Sequence, residues 1–179
     1  MSFGFFRGLL PGISSADPTT DWPESTGTTP EVDLTHKLIG KLKFGSPLVE
    51  ARYLGKPDSA HYSQPDYLEL IYGPGGFRLD FDHGNLAYAA FFIGPDEFQP
   101  TVPDLKFCEP LVHGAQRFTA NMSRIGLENI FGPAEHVDER DSCEAILSFC
   151  RDGLVHEFEF DLNDKLKRWS LFPEQEIPQ

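Results

Sequence analysis

The chain contains an internal repeat with a spacing of 77 residues, and this repeat constrains the fold more than any other feature of the sequence. Aligned at this spacing without a gap, four pairs of positions carry the same residue: Ser46 and Ser123, Gly55 and Gly132, Leu70 and Leu147, Gly76 and Gly153. About two identities are expected by chance in such a window. The stronger argument is that the paired residues have matching structural roles, which indicates two copies of one supersecondary unit.

Each copy begins with a short apolar-periodic stretch that follows a Ser and ends in Gly. The two stretches are residues 46–55 (SPLVEARYLG) and 123–132 (SRIGLENIFG). A Ser at the N-cap accepts a hydrogen bond from a free backbone N–H, Pro47 suits the first helical position, and Gly tolerates the left-handed conformation that ends a helix. Both stretches are therefore predicted to be helices.

A polar loop and three strand-like runs follow each predicted helix. The runs cover residues 67–72, 77–81 and 86–93 in the first copy and residues 145–149, 154–160 and 165–172 in the second. The turns between them contain Gly-Gly, His-Gly-Asn, Asp-Gly and Asn-Asp, which favour hairpins. Apolar and polar residues alternate in both middle runs, which predicts antiparallel meanders with one buried face and one solvated, mostly acidic face.

The predicted fold class is α+β, with two tandem helix-plus-antiparallel-sheet repeats packed side by side and an extended N-terminal arm. Run 86–93 is apolar on both sides, so we expect a neighbouring element to cover each of its faces. The predicted units are residues 1–33 (apolar tip and Ser/Thr/Pro-rich linker), 34–100 (first repeat) and 101–179 (second repeat).

The N-terminal tip is an apolar segment separated from the body by a polar linker. Residues 14–33 have the Ser, Thr, Pro and acid content of a segment that does not fold alone. The tip is expected to dock into its own domain, a neighbouring chain or a membrane interface. Its candidate docking residues are Phe3, Phe5, Phe6, Leu9 and Leu10.

Charge and composition exclude several classes of function. A formal net charge of -13 disfavours nucleic acid and favours a basic protein partner. Three cysteines without a C-x-x-C pair suit a reducing compartment. No stretch approaches the roughly 20 apolar residues of a transmembrane helix, and the N-terminus lacks the features of a signal peptide, so the predicted location is cytoplasmic.

About two thirds of the chain follows one motif pattern: a helix ending in Leu-Gly-x-Pro, a strand ending in Tyr, and a hairpin beginning with Phe-Asp. The residues that carry it in the first copy are Gly45, Val49, Leu54, Gly55, Pro57, Tyr72, Phe81, Asp82 and Leu86; those in the second are Phe131, Gly132, Pro133, Phe149, Phe160, Asp161 and Leu166. This pattern resembles the repeat of beta-lactamase-inhibitor-protein-like and SmpA/OmlA-type outer-membrane assembly lipoproteins. The resemblance implies a tandem sheet platform that grips another protein. The chain departs from that pattern in having no lipobox Cys and no cysteine pair for each copy.

No catalytic, metal or cofactor signature is found, so we predict a protein that is not an enzyme and holds no cofactor. The six histidines show no i, i+2 or i, i+4 spacing for a shared metal, and His156 is interpreted as a core residue. Asp80 and Asp82 in LDFDHGN lack the other ligands of a calcium loop. The glycines of YGPGGF are interpreted as a hairpin turn because no helix with a Lys follows to meet a phosphate.

The acidic strand residues supply the leading hypothesis for function. If the two sheets run side by side, they form one negative surface with an aromatic anchor, suited to a protein partner. The candidate partner-binding residues are Asp80, Asp82, Glu157, Glu159, Asp161 and Trp169. The predicted class is a non-catalytic inhibitor, immunity protein or assembly adaptor. The alternative is that these residues form an ordinary solvated sheet face without a partner.

Two alternatives remain open from the sequence. One is a small-molecule binder or enzyme with a pocket between the repeats, lined by aromatic residues such as Tyr72, Tyr88 and Phe149. The other is a self-associating structural protein, a homo-oligomer whose N-terminal tip inserts into a neighbour.

Overall fold

The computed structural model of the protein describes residues 17–96, 99–112, 116–140 and 144–174. The chain forms an eight-stranded antiparallel sheet in the order β10-β11-β12-β13-β7-β6-β5-β4 and a small five-stranded sheet in the order β3-β2-β1-β8-β9. The large sheet consists of β4 (Ser59–Gln64), β5 (Tyr67–Tyr72), β6 (Phe77–Asp82), β7 (Asn85–Phe92), β10 (His136–Arg140), β11 (Glu144–Arg151), β12 (Leu154–Phe160) and β13 (Leu166–Pro173). The small sheet consists of β1 (Val32–Asp33), β2 (Leu38–Ile39), β3 (Leu42–Lys43), β8 (Leu111–Val112) and β9 (Gln116–Arg117).

The predicted fold class is wrong, because the protein is β-rich. Strands account for 44% of the described residues and helix for 10%, and the described ranges contain two short helical segments. These are a 3₁₀ helix at Leu48–Leu54 and an α-helix, α1, at Arg124–Phe131. The first stretch does not become an α-helix with Ser46 as its cap: Pro47 is the N-cap, no side chain caps the N-terminus, and only Ala51 is buried.

The two meanders belong to one sheet and are not two units packed side by side. β7 pairs with β13 in antiparallel orientation, from Ala89 with Leu171 to Phe92 with Arg168. This pairing provides hydrogen-bond partners for backbone N–H and C=O groups that would otherwise be unpaired at two sheet edges. It also explains why run 86–93 is so apolar, since β7 lies near the centre of an eight-stranded sheet.

Each half of the large sheet has a fourth strand that the sequence did not predict. β4 and β10 lie in the segments that were expected to be polar loops, and they form the two outer edges of the sheet. Their described residues are mostly polar and partly exposed, as is common for edge strands. Such strands lack the apolar alternation used to identify the other six.

The predicted turns have the expected backbone conformations. Positive φ angles occur at Gly76, His83, Gly84, Asp152 and Gly153, which lie between paired strands. These angles are typical of the tight turns that connect antiparallel strands. The hairpin predictions at these positions are therefore confirmed.

One face of the large sheet, termed the core face, forms the hydrophobic core. Its side chains pack with Ala51 of the 3₁₀ helix, Leu127 and Phe131 of α1, and Val32 and Val112 of the small sheet. A glycine is required where the 3₁₀ helix ends: Gly55 has a φ of 83°, and a Cβ there would lie 2.5 Å from the Cα of Ser25.

The described part of the Ser/Thr/Pro-rich segment lies against the body of the protein. Glu24 forms an isolated bridge with Lys56, the Thr29 hydroxyl donates to the Gly75 carbonyl at 2.6 Å, and Trp22 packs on the core. The candidate docking residues of the apolar tip, Phe3, Phe5, Phe6, Leu9 and Leu10, are outside the described residues, as are all of residues 1–16.

Candidate functional site

The second face of the large sheet, termed the polar face, carries a continuous layer of charged and aromatic side chains. The strand register places Arg78, Ala90, Ser170 and Glu157 in one row that crosses the β7–β13 junction. The buried residues of both helices, by contrast, belong to the core cluster. Several side chains of the polar face remain partly accessible to solvent: Tyr67, Glu69, Arg78, Tyr88, Val155, Glu157, Glu159 and Phe172.

Asp80 is the centre of a polar cluster in the first half of this face. Its side chain is fully buried, and its Oδ2 atom accepts hydrogen bonds from the Tyr67 hydroxyl and from Arg78 Nη2, both at 3.0 Å. Arg78 also lies 3.6 Å from a Glu69 carboxylate oxygen. Burial raises the pKa of Asp80 to about 6, although Arg78 and Tyr67 oppose this shift.

Tyr88 connects this cluster to the second half of the sheet. The Arg78 guanidinium lies over its ring, 5.1 Å from the centroid, and its hydroxyl forms a 2.7 Å hydrogen bond with Ser170 of β13. Its ring also stacks with that of Phe172 at a centroid distance of 6.1 Å. These contacts hold an arginine and two aromatic rings in fixed positions across the junction.

Arg168 forms the corresponding cluster in the second half. Its guanidinium donates to both carboxylate oxygens of Glu159, at 2.6 and 2.7 Å, in a bidentate pair. The same guanidinium lies 3.4 Å from Asp96, a buried carboxylate that Lys167 contacts at 3.3 Å. Bidentate Arg–carboxylate pairs combine strength with a defined geometry, so this cluster is rigid.

The predicted partner-binding acids share one face but do not form a uniformly negative surface. Asp80, Asp82, Glu157 and Glu159 all lie on the polar face, because their partners in the register lie there. Asp80 is buried and Glu159 is nearly so, each paired with an arginine. Asp82 is exposed, with 53% of its side-chain surface accessible to solvent.

Two of the predicted residues have a different role in the structure. Trp169 is fully buried on the core face, where it stacks on Phe158 with ring centroids 5.7 Å apart, so the expectation that it is an accessible aromatic anchor is wrong. Asp161 accepts hydrogen bonds from the backbone N–H groups of Asn163 and Lys165 and shapes the turn before β13.

The sequence did not identify Arg78, Arg168 or Asp96 as site residues, and it placed Tyr88 in a pocket between the repeats and not on the polar face. Arg78 alternates with apolar residues in its strand, so it was treated as a solvated position of the sheet. Arg168 stands between Lys167 and Trp169 in a strand that was expected to be more exposed. The signal available in the sequence was the placement of Arg168 nine residues after Glu159 across a predicted hairpin turn, which makes the two residues cross-strand neighbours.

The predicted aromatic pocket between the repeats is not formed. Tyr72 is buried on the core face, where its ring stacks on Phe77 and its hydroxyl donates to the Gly55 carbonyl at 3.2 Å. Phe149 is also fully buried in the core, whereas Tyr88 lies on the opposite face. The three side chains therefore do not surround a common cavity.

The remaining candidate chemistry has structural explanations. Gly75 and Gly76 form a turn, and the Cys108 thiol donates to the Gly76 carbonyl at 3.1 Å. Cys108 and Cys150 are free cysteines, and Cys143 is outside the described residues. Within the described ranges, no group of three or more His, Cys, Asp or Glu residues is arranged to hold a metal ion.

Comparisons with protein-family models, with curated proteins and with solved structures find no match to this chain. Among the described residues, no helix has the length and apolar character needed to span a membrane.

Proposed function

We propose that the protein is a non-catalytic binding module whose polar face recognises a protein partner. The observation that carries the proposal is the ordered layer formed by Arg78, Tyr88 and Arg168, which reaches solvent and spans both halves of the sheet. Arginine and tyrosine are the residue types most often found at the energetic centres of protein interfaces. Preformed ion pairs reduce the loss of side-chain entropy on binding.

Charge defines the kind of partner that this face suits. Carboxylates outnumber arginines among its described residues, and the whole chain has a formal net charge of -13. A partner with a basic patch would gain from this field both in association rate and in discrimination against acidic proteins. Asp82 is exposed and Glu157 is partly exposed on this face. Their carboxylates can attract a basic partner during association.

The proposal is tested by affinity capture with two charge-matched variants. The face variant combines Asp82→Lys with Glu157→Lys; the control variant combines Glu50→Lys with Glu128→Lys, both exposed residues of the helical segments. We expect a basic protein that is enriched by the wild type and by the control and lost with the face variant. With the purified partner, hydrogen exchange should then show protection in β6, β7, β12 and β13.

Two results would contradict the proposal. One is equal capture of the same proteins by the face variant, and the other is protection of the helical segments in place of these four strands. Thermal unfolding of both variants checks that each has kept its fold.

A further inference from the structure

A row of apolar side chains crosses four strands on the polar face of the large sheet. It consists of Tyr88 of β7, Phe172 of β13, Val155 of β12 and Cys150 of β11, and we term it the apolar row. Phe172 pairs with Val155, and Val155 with Cys150, in the strand register. The rings of Tyr88 and Phe172 stack with their centroids 6.1 Å apart. All four residues are partly exposed, so the row offers a continuous apolar surface to a partner.

Three carboxylates flank the apolar row, with at least one on each side. Glu157 lies two residues after Val155 in β12, and Glu174 lies two residues after Phe172 at the end of β13. Because β12 and β13 are antiparallel, these two carboxylates lie on opposite sides of the row. Asp82, the last residue of β6, lies on the same side as Glu174. Asp82 and Glu174 are exposed and Glu157 is partly exposed, so the row has a negative margin on each side.

The charge of these margins favours a basic partner. The two arginines of this face do not cancel the charge, because Arg78 is paired with Asp80 and Arg168 with Glu159. Carboxylates at a surface attract Lys and Arg side chains and repel an acidic protein or an anionic membrane. A segment that matches the surface therefore has apolar residues in its middle and basic residues on both sides.

The spacing of the apolar row fits an α-helix better than an extended chain. Neighbouring strands lie about 4.8 Å apart, so four side chains in a row span about 14 Å. One face of a helix repeats about every 5.4 Å, which gives about 16 Å over three turns. Alternate residues of an extended strand repeat about every 6.8 Å, which gives about 20 Å over three repeats. A helix also presents basic residues on both sides of an apolar stripe, as the two margins require.

We propose that the apolar row binds a basic amphipathic helix of the partner. The apolar stripe of this helix lies along the row, and its flanking Lys and Arg side chains pair with Asp82, Glu157 and Glu174. This inference rests on the proposed function, because it identifies the part of the partner that the polar face recognises. Helices dock on other proteins in this way through apolar residues at positions i, i+3, i+4 and i+7. Three to four helical turns are long enough to cover the row.

The test measures the binding of two synthetic peptides of about 18 residues to the full chain, by fluorescence anisotropy at moderate salt. Both peptides contain Leu, Lys and Ala in the same proportions. In the segregated peptide, Leu residues form one helical face and Lys residues flank it; in the scrambled peptide, neither residue type is segregated. The segregated peptide is expected to bind at least about tenfold more tightly, because only its Leu residues can all contact the row. It should also gain helical circular dichroism on binding.

Two matched variants locate the binding site. The row variant combines Val155→Thr with Phe172→Thr, and the control variant combines Val49→Thr with Ile125→Thr, at exposed apolar residues of the helical segments. Thr is well tolerated in strands, so the row variant loses apolar surface with little change to the backbone. It should bind the segregated peptide about tenfold more weakly, whereas the control variant should bind like the wild type. Thermal unfolding identifies a variant that fails to fold; in that case Val155→Thr alone decides the result.

Three outcomes would overturn the inference. The first is equal affinity for the two peptides, which would show that charge alone drives binding. The second is unchanged affinity for the segregated peptide in the row variant. The third is a gain in affinity for this peptide when residues 1–13 are deleted, which would make the apolar N-terminal tip the natural occupant of the row.

Failure of this inference is distinguishable from failure of the proposed function. If the peptide test fails while Asp82→Lys with Glu157→Lys still abolishes capture of a basic protein, the polar face binds its partner through a structure other than a helix. If that variant captures the same proteins as the wild type does, the proposed function itself fails.

Discussion

The two halves of the large sheet have the same strand order but arrange their buried side chains differently. Each half buries four aromatic residues on its core face: Tyr72, Phe77, Phe81 and Phe91 in β4–β7, and Phe149, Phe158, Phe160 and Trp169 in β10–β13. The rings of the second half form the denser network of contacts, which includes Phe118 and Phe131. The first half buries the titratable side chain of Asp80 on the polar face, and the second half buries that of His156 on the core face. Similar backbones thus support a polar network in one half and a buried histidine in the other.

Corresponding positions in the two halves show this difference directly. Leu79 and His156 are each the third residue of a strand that occupies the same place in its meander, β6 and β12. Leu79 fills its site with carbon atoms alone, so no hydrogen bond is needed. His156 leaves its Nδ1 atom buried and without a hydrogen-bond partner in the same position.

The largest effect is expected from shortening an aromatic side chain in the second half. Phe158 contacts the rings of Phe118, Phe131, Phe149 and Trp169. Phe158→Ala should reduce the free energy of unfolding by about 3–5 kcal/mol, measured by urea denaturation. Leu79→Ala should cost less, because it removes fewer atoms and no ring contacts. A larger loss for Leu79→Ala would contradict the view that the ring network of the second half contributes more of the packing energy.

A slightly smaller change in the free energy of unfolding is expected when His156 becomes protonated at low pH. Its pKa falls from 6.5 in the unfolded chain to about 4 in the folded protein. Its neutral form therefore contributes fully above pH 6.5, and stability falls as pH decreases towards 4, by about 3 kcal/mol. His156→Leu, which introduces the residue found at position 79, should remove this decrease. An unchanged pH profile in urea denaturation would show that the imidazole is not buried in the neutral form.

Asp80 should have the opposite pH dependence in the first half. Its pKa rises from 3.8 to about 6 on folding, so the folded protein holds this proton more strongly than the unfolded chain does. Stability is greatest below pH 3.8 and falls by about 3 kcal/mol as pH rises to 6. Asp80→Asn should therefore remove the loss of stability that occurs as pH rises to 6, whereas His156→Leu should remove the loss that occurs as pH falls to 4. Variants with the same sign of change would contradict this contrast between the halves.

Smaller energies are expected for the ion pairs in the two arginine clusters of the polar face. In double-mutant cycles, Arg168→Met with Glu159→Gln should give a coupling energy of about 1–2 kcal/mol. Arg78→Met with Asp80→Asn should give less, because that pair has a single 3.0 Å hydrogen bond and the Arg168 pair is bidentate. Equal coupling energies in both cycles would show that the bidentate geometry adds nothing.

The elements that could be predicted from the sequence are those whose residues alternate or form specific turns. β5, β6, β7, β11, β12 and β13 were all predicted within a few residues of their observed bounds, because alternation and turn residues are local signals. The pairing of β7 with β13 was not predicted, because it joins segments about 80 residues apart and depends on which sheet edge meets which.

The candidate site was predicted only in part for a related reason. The strand register placed Asp80 and Glu159 on one face, as expected from alternation. The sequence did not indicate that each is neutralised by an arginine, or that Asp96 from the loop after β7 joins the cluster of Arg168. Trp169 was assigned to the wrong environment because the charged residues around it suggested exposure, while its own position in the alternation places it in the core.

The smallest predicted change in the free energy of unfolding concerns the two helical segments, which have similar sequences but different N-termini. The Ser123 side chain accepts a hydrogen bond from the Gly126 N–H at 3.1 Å and caps α1, as predicted. Ser46 does not cap its 3₁₀ helix; its hydroxyl donates to the exposed Glu50 at 2.7 Å and accepts from the Lys43 N–H at 3.2 Å.

Ser123→Ala should therefore reduce the free energy of unfolding by about 1 kcal/mol, the usual cost of losing a side-chain cap. Ser46→Ala should change it by less than about 0.5 kcal/mol, since the hydrogen bonds lost are at the surface, where water replaces them. Chemical denaturation of both variants in one buffer measures the difference. An equal loss of stability in Ser46→Ala and Ser123→Ala would contradict this prediction. It would mean that Ser46 stabilises its segment, through the hydrogen bond to Lys43 of β3, as strongly as Ser123 stabilises α1. The two N-termini would then be equivalent in energy despite their different geometry.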